Sequence, residues 1–160
     1  MKTPATFEEL LSLAPQKVKD LIEGLKDLRE RPDYHPEENA YEHVKIVTDR
    51  LITTGDPDLI MAGLFHDIAK KITAKTNEKT GWPTSPGHDD LGASIALEHS
   101  TFVESIGANV SNVQEICQYH MRIKQMSQIK KQAKLQKLLD LPTYSKLEIF
   151  TRADNMLEEF

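Results

Sequence analysis

The residues of this chain best suited to chemistry are His66 and Asp67, an imidazole and a carboxylate side by side in the apolar run Leu64-Phe65-His66-Asp67-Ile68-Ala69-Lys70. Burying a charged carboxylate among Leu, Phe and Ile costs several kcal/mol unless something pairs with it. A divalent cation suits both groups, because neutral imidazole nitrogen and carboxylate oxygen are good ligands for first-row metals. On a helix, adjacent positions lie about 100° apart, so both side chains can meet one ion at the helix edge. Lys70 follows His66 by four residues and brings a cation to the same face. Gly63, one turn before Asp67, leaves room for a neighbouring helix or a ligand. An isolated His-Asp pair is more often an amphipathic helix with an exposed acid. Here the remaining histidines shift the balance.

The elements that must position this pair are helical. A helix is expected from about Glu37 to Thr54, with Val44, Val47, Leu51 and Ile52 inward. Gly55 ends it as a left-handed residue, and Asp56-Pro57 caps and opens the next helix at once. So tight a connection makes the two helices antiparallel neighbours. His43 lies twelve residues before Gly55 and His66 eleven after it. Both therefore sit roughly 17–18 Å from the turn, level with each other on adjacent helices.

Upstream, Thr6-Phe7-Glu8-Glu9 reads as a capping box, and Pro15 as the first residue of a second helix with Val18, Leu21, Ile22, Leu25 and Leu28 inward. Arg31-Pro32-Asp33-Tyr34-His35-Pro36 is a break. Residues 71–87 read as the longest loop, delivering His88. A helix from about Asp89 to Glu104 follows, then one capped by Ser111 that ends near His120. The last helix is expected to open at Ser145 with a capping box to Glu148 and to bury Leu147, Phe150, Ala153, Met156 and Leu157, with Asp154 beside that stripe. Between them, Arg122, Lys124, Lys130, Lys131, Lys134 and Lys137 form a basic stretch. It is either a solvated helix face or a patch that attracts a phosphorylated substrate or RNA.

Composition bounds the rest. A chain of 160 residues reads as one domain that needs no staples. The single Cys117 excludes an intrachain disulfide and a four-cysteine zinc site, and fits a reducing compartment. No apolar run reaches membrane-spanning length, and Met1-Lys2-Thr3-Pro4 lacks the apolar core of a signal peptide, so a cytoplasmic protein without membrane contact is expected. The net charge of −5 argues against general nucleic-acid binding.

The order His43, His66-Asp67, Asp154 on an all-α chain resembles the HD superfamily of metal-dependent phosphohydrolases. The likeness is greatest to the HD domains of tRNA nucleotidyltransferases. It rests on His35-Pro36-Glu37 ahead of His43, His66-Asp67-Ile68-Ala69-Lys70, Gly87-His88-Asp89-Asp90-Leu91-Gly92-Ala93, His120-Met121 and Ala153-Asp154. It covers about residues 33–155, leaving residues 1–32 as a helical extension of a single domain. Ala69 replaces the usual glycine and Asp89 the usual glutamate. Some 30 residues before the match are too few for a nucleotidyltransferase head, so nucleotide addition is not inferred.

The resemblance implies a compact all-α bundle and makes His43, His66, Asp67 and Asp154 ligands of a divalent metal ion: Mn, Fe, Co, Ni or Mg. It places Lys70 near substrate phosphate. His88 and His120 match positions that hold a second ion in two-metal relatives and contact phosphate in one-metal relatives. Because only Asp67 offers a further carboxylate, a single ion is expected, with Asp67, Lys70, His88 and His120 as the catalytic group. The implied activity is hydrolysis of a phosphate mono- or diester: a nucleotide, a cyclic nucleotide, an RNA end or another phosphorylated small molecule. The alternatives are a non-catalytic nucleotide- or RNA-binding module that retains the metal, and a purely structural helical domain. Substrate identity and oligomeric state are left open.

Overall fold

The computed structural model describes residues 3–31 and 39–155. The His35-Pro36-Glu37 segment, the start expected at Glu37, and Met156 and Leu157 lie outside the described residues. The architecture is all-α, as expected, with one short two-stranded ribbon.

Helix α1 (Phe7–Ser12) opens where the Thr6 hydroxyl accepts from Glu9 N, and α2 (Gln16–Gly24) begins one residue after Pro15. Their buried residues Phe7, Leu10, Val18 and Ile22 join one continuous core. Phe7 N also donates to Asp49, tying α1 to α3 (Ala40–Ile52). The α3–α4 hairpin forms as read from the sequence. Gly55 takes φ +68°, Asp56 caps, and Pro57 is the first residue of α4 (Pro57–Phe65). Gly63 lets the two helices close. A Cβ there would meet Thr48 and Leu51 side-chain atoms at 3.1 Å.

One expectation is corrected at the heart of the chain. The His-Asp pair does not lie within a helix, because α4 ends at Phe65 and His66 is its C-cap. The backbone tightens to bonds spanning three residues, Ile68 N to Phe65 O and Lys70 N to Asp67 O. Only then does the single turn of α5 (Lys70–Thr73) begin. The turn aims His66 and Asp67 across the end of α4 rather than along its side.

The segment expected as loop folds into α5 and an antiparallel ribbon, β1 (Lys75–Thr76) with β2 (Pro83–Thr84). Gly87, at φ +79°, then turns the chain into α6 (His88–Glu98), which stops at His99 before α7 (Ser100–Glu104) instead of running on to Glu104. Gly92 has a steric reason to be glycine, since a Cβ would lie 2.8 Å from the Phe65 carbonyl oxygen. That close approach presses α6 onto the end of α4.

Helix α8 (Val110–Lys124) is capped by Asn109, not Ser111, and continues beyond His120 to Lys124. Helix α9 (Gln132–Leu139) leads to α10 (Tyr144–Asp154). The capping box expected at Ser145 does not form. Thr143 precedes α10 and spends its hydroxyl proton on Glu115 of α8. Asp58, buried near the start of α4, accepts from Asn109 N at 2.7 Å, Asn112 Nδ2 at 3.0 Å and Lys146 Nζ at 2.7 Å. One carboxylate thus ties α4, α8 and α10. Among the described residues no helix is long and apolar enough to cross a membrane.

Candidate metal centre

Four histidines and two aspartates from α3, the turn after α4, α6, α8 and α10 converge in the core, all of them buried. His43 Nε2 lies 2.8 Å from Asp154 Oδ1 and 3.7 Å from Asp67 Oδ2. His66 Nε2 lies 3.2 Å from Asp67 Oδ2 and 3.4 Å from Asp154 Oδ1. On the other side of the same carboxylate, His88 Nε2 is 3.2 Å and His120 Nε2 3.6 Å from Asp67 Oδ1. Asp67 therefore turns one oxygen to each histidine pair. Phe150 packs edge-on against His66 and His120, with ring centroids 5.1 and 6.0 Å away.

Backbone carbonyls set the tautomers. A carbonyl oxygen only accepts, so the ring nitrogen facing it must carry the proton. His66 Nδ1 donates to Gly63 O and His88 Nδ1 to Ser85 O, each at 2.8 Å, and His120 Nδ1 donates to Cys117 O. Each of these imidazoles is fixed by the carbonyl three residues earlier, which leaves Nε2 free to act as a ligand. His66 Nε2 is buried without a hydrogen-bond partner. His88 Nε2 and His120 Nε2 face each other at 3.3 Å, a contact in which either ring can donate only if it carries a second proton. Buried donors of this kind call for a positive charge among them. Among the described residues, two groups of three can supply ligand atoms for a metal ion: His43, His66 and Asp67, and Asp67, His88 and His120. Mixed nitrogen and oxygen donors fit a divalent first-row metal.

The charges agree with that reading. Burial raises the carboxyl groups, but at Asp67 the neighbouring His66 and Lys70, and at Asp154 the neighbouring Lys124, outweigh it and hold both well below the usual carboxylate range. Burial lowers the His66 imidazolium, yet Asp67 and Asp154 together raise it to about 10. For His120 burial prevails and keeps the ring neutral to lower pH. Lys70 stays cationic. Its Nζ is 2.8 Å from Glu30 Oε1 and 3.6 Å from Asp67 Oδ2, and those carboxylates overcome the burial that would discharge it. Cys117 is buried and its thiol is pushed up by burial, so it stays protonated at neutral pH.

Residues 39–156 match the family model described as HD domain, which is more than half of the chain. The chain belongs to the HD domain family. No curated protein and no solved structure matches the chain. HD domains are in general metal-dependent phosphohydrolases, and the buried His/Asp groups of this one are able to hold a metal.

All seven residues singled out from the sequence meet at this HD centre. Two others escaped notice. Lys124, placed with the basic stretch, has Nζ 2.6 Å from Asp154 Oδ2. Its signal was available only from α8 running one turn past His120. Glu30, the partner of Lys70, lies forty residues away with no motif to flag it.

Proposed function

We propose that this HD domain hydrolyses a phosphate mono- or diester of a nucleotide, a cyclic nucleotide or an RNA end, in the manner of the branch related to tRNA nucleotidyltransferases. The observation that carries the reading is Asp67, whose two oxygens face two separate histidine pairs at 3.2–3.7 Å. His43, His66, Asp67 and Asp154 would hold a divalent ion. When bound, that ion supplies Lewis-acid polarisation of a phosphoryl oxygen and lowers the pKa of water. Lys70, kept charged by Glu30 and Asp67, neutralises charge developing on the phosphate. A cavity of about 210 Å³, lined by Lys70, Ser85, His88, Asn77 and Trp82, opens beside it and gives the phosphate a path to the centre.

His88 and His120 either contact phosphate, as the single-ion expectation has it, or hold a second ion with Asp67. Their facing nitrogens at 3.3 Å favour the second ion. Metal analysis separates the two. Two ions per chain in wild type and one in His88→Ala supports the dinuclear form, whereas one ion in both supports phosphate contact.

Activity is tested by screening metal-loaded protein against nucleotide mono-, di- and triphosphates, cyclic nucleotides and 2′,3′-cyclic phosphates. Turnover that disappears in Asp67→Ala supports the enzyme. Metal-loaded protein that binds these compounds and hydrolyses none of them is the binding module instead.

A further inference from the structure

Between α8 and α9 lies a second cavity, of about 420 Å³, walled by Tyr119, Arg122, Ile129, Lys134 and Lys137. None of Arg122, Lys134 and Lys137 is in an ion pair among the described residues. From Arg122 to Lys137 the chain has six cations and no carboxylate. Since the whole chain has net charge −5, everything outside this stretch carries −11. Of the six cations, Lys124 is turned inward to Asp154. The others leave a concentrated positive field on an otherwise acidic molecule, which a polyanion would meet favourably. The Arg122 guanidinium lies over the Tyr119 ring at 5.0 Å, and this cation–π pair forms part of the cavity wall.

We propose that this cavity binds a single-stranded polynucleotide, with Lys134 and Lys137 on phosphates and a base stacked on the Tyr119–Arg122 pair. Charge alone would also attract an acidic peptide, but a peptide offers no π-face to that pair, whereas every base does. A duplex keeps its bases stacked inside and cannot place one in a concave wall. Arg122 follows His120 by two residues on α8, roughly 200° round the helix, so the cavity and the metal centre occupy opposite sides of one helix about 10 Å thick. Of the substrates proposed above, the RNA end is the one that a strand bound here would bring to the same molecule. The inference rests on the phosphohydrolase reading only for what happens at that end, because binding itself needs no metal.

The test is fluorescence anisotropy of a labelled single-stranded RNA 12-mer with chelator-treated full-length protein, across a salt series. Parallel arms use single-stranded DNA, duplex RNA and polyglutamate. Wild type should bind both single strands, with duplex and polyglutamate at least tenfold weaker. Lys134→Glu/Lys137→Glu should weaken strand binding more than tenfold and make the salt dependence shallower by about 1.4, at about 0.7 for each lost phosphate contact. The milder Lys134→Gln/Lys137→Gln should fall between, and Tyr119→Leu should lose about tenfold without changing the slope. Both double variants alter exposed side chains and should keep the wild-type metal content and turnover of a small chromogenic phosphodiester. Strand affinity unchanged by the double reversal, or polyglutamate binding as tightly as RNA, overturns the proposal. Intact strand binding by a protein that hydrolyses nothing would leave this site standing and remove the enzymatic reading alone.

Discussion

Asp67 presents one oxygen to His43 and His66 and the other to His88 and His120, so it is the residue through which both halves of the centre communicate. Asp67→Asn keeps the volume but not the charge. It should lower metal affinity at least a hundredfold and abolish hydrolysis while the fold persists, as read by metal analysis and circular dichroism. Lys124 makes a second, opposing prediction. Its ammonium competes with any cation for Asp154 Oδ2, 2.6 Å away. Lys124→Met should therefore tighten metal binding several-fold. It should also destabilise the metal-free protein by about 1–3 kcal/mol, because Asp154 loses a charged partner in the core. Saturating metal should restore most of that loss in a thermal melt. The convergence of the histidines was legible in the sequence from His66 within an apolar run, from His43 level with it across the Gly55 turn, and from the resemblance for His88 and His120. Lys124 was not, because its role depends on where α8 stops.

At the scale of elements, the turn of the α3–α4 hairpin was legible, since Gly55, Asp56 and Pro57 each have one favoured place around a tight connection, although α3 stops at Ile52, two residues short of the expected Thr54. Boundaries set by competition were not. Asn109 won the cap of α8 over Ser111, and Thr143 gave its hydroxyl to Glu115 instead of letting Ser145 start α10. The end of α4 at Phe65 was hidden for a similar reason. Its cause is tertiary, with α6 seated against the Phe65 carbonyl through Gly92. Gly92→Ala puts a methyl 2.8 Å from that oxygen. The helix must move away, at a cost of about 1–3 kcal/mol, or about 2–4 °C of melting temperature for each kcal/mol. Because His88 is the first residue of α6, the same variant should also lose affinity in the His88–His120 half of the centre, visible as reduced metal stoichiometry. Asp58 offers a contrast far from the centre. Its pKa is held down because Lys146 and the Asn109 and Asn112 donors overcome burial. A depressed carboxylate contributes stability at neutral pH that is lost as pH falls below its ordinary range near 4. Asp58→Asn should therefore be less stable than wild type at pH 7 and close the gap by pH 3, with metal content unchanged.

For the whole molecule, the buried carboxylates of the centre are balanced in part by Lys70 and Lys124, and the remainder falls to protons or to metal. In the metal-free protein, the carboxylates of Asp67 and Asp154 outweigh the burial of His66 and raise its imidazolium to about 10, against an ordinary value near 6.5. A folded-state pKa raised in this way contributes stability that is fully present below pH 6.5 and is lost as pH rises through 10. His120 is shifted the other way by burial, so its titration acts on the acid side and leaves most of the slope between pH 7 and 9 to His66, with the buried Cys117 thiol adding to it only near the top of that range. Metal and proton compete for the same Nε2, and a bound ion keeps the carboxylates compensated after the proton has gone. The melting temperature of chelated protein should thus fall from pH 7 to pH 9, while that of protein with excess Mn²⁺ should stay flatter. The stabilisation by metal should widen with pH as fewer protons must be displaced. His66→Gln cannot hold this proton, so its chelated form should lack the wild-type slope over the same interval and gain less from Mn²⁺. Equal slopes for wild type and His66→Gln would mean that the centre's charge is balanced elsewhere, and would remove His66 from the proton–metal exchange.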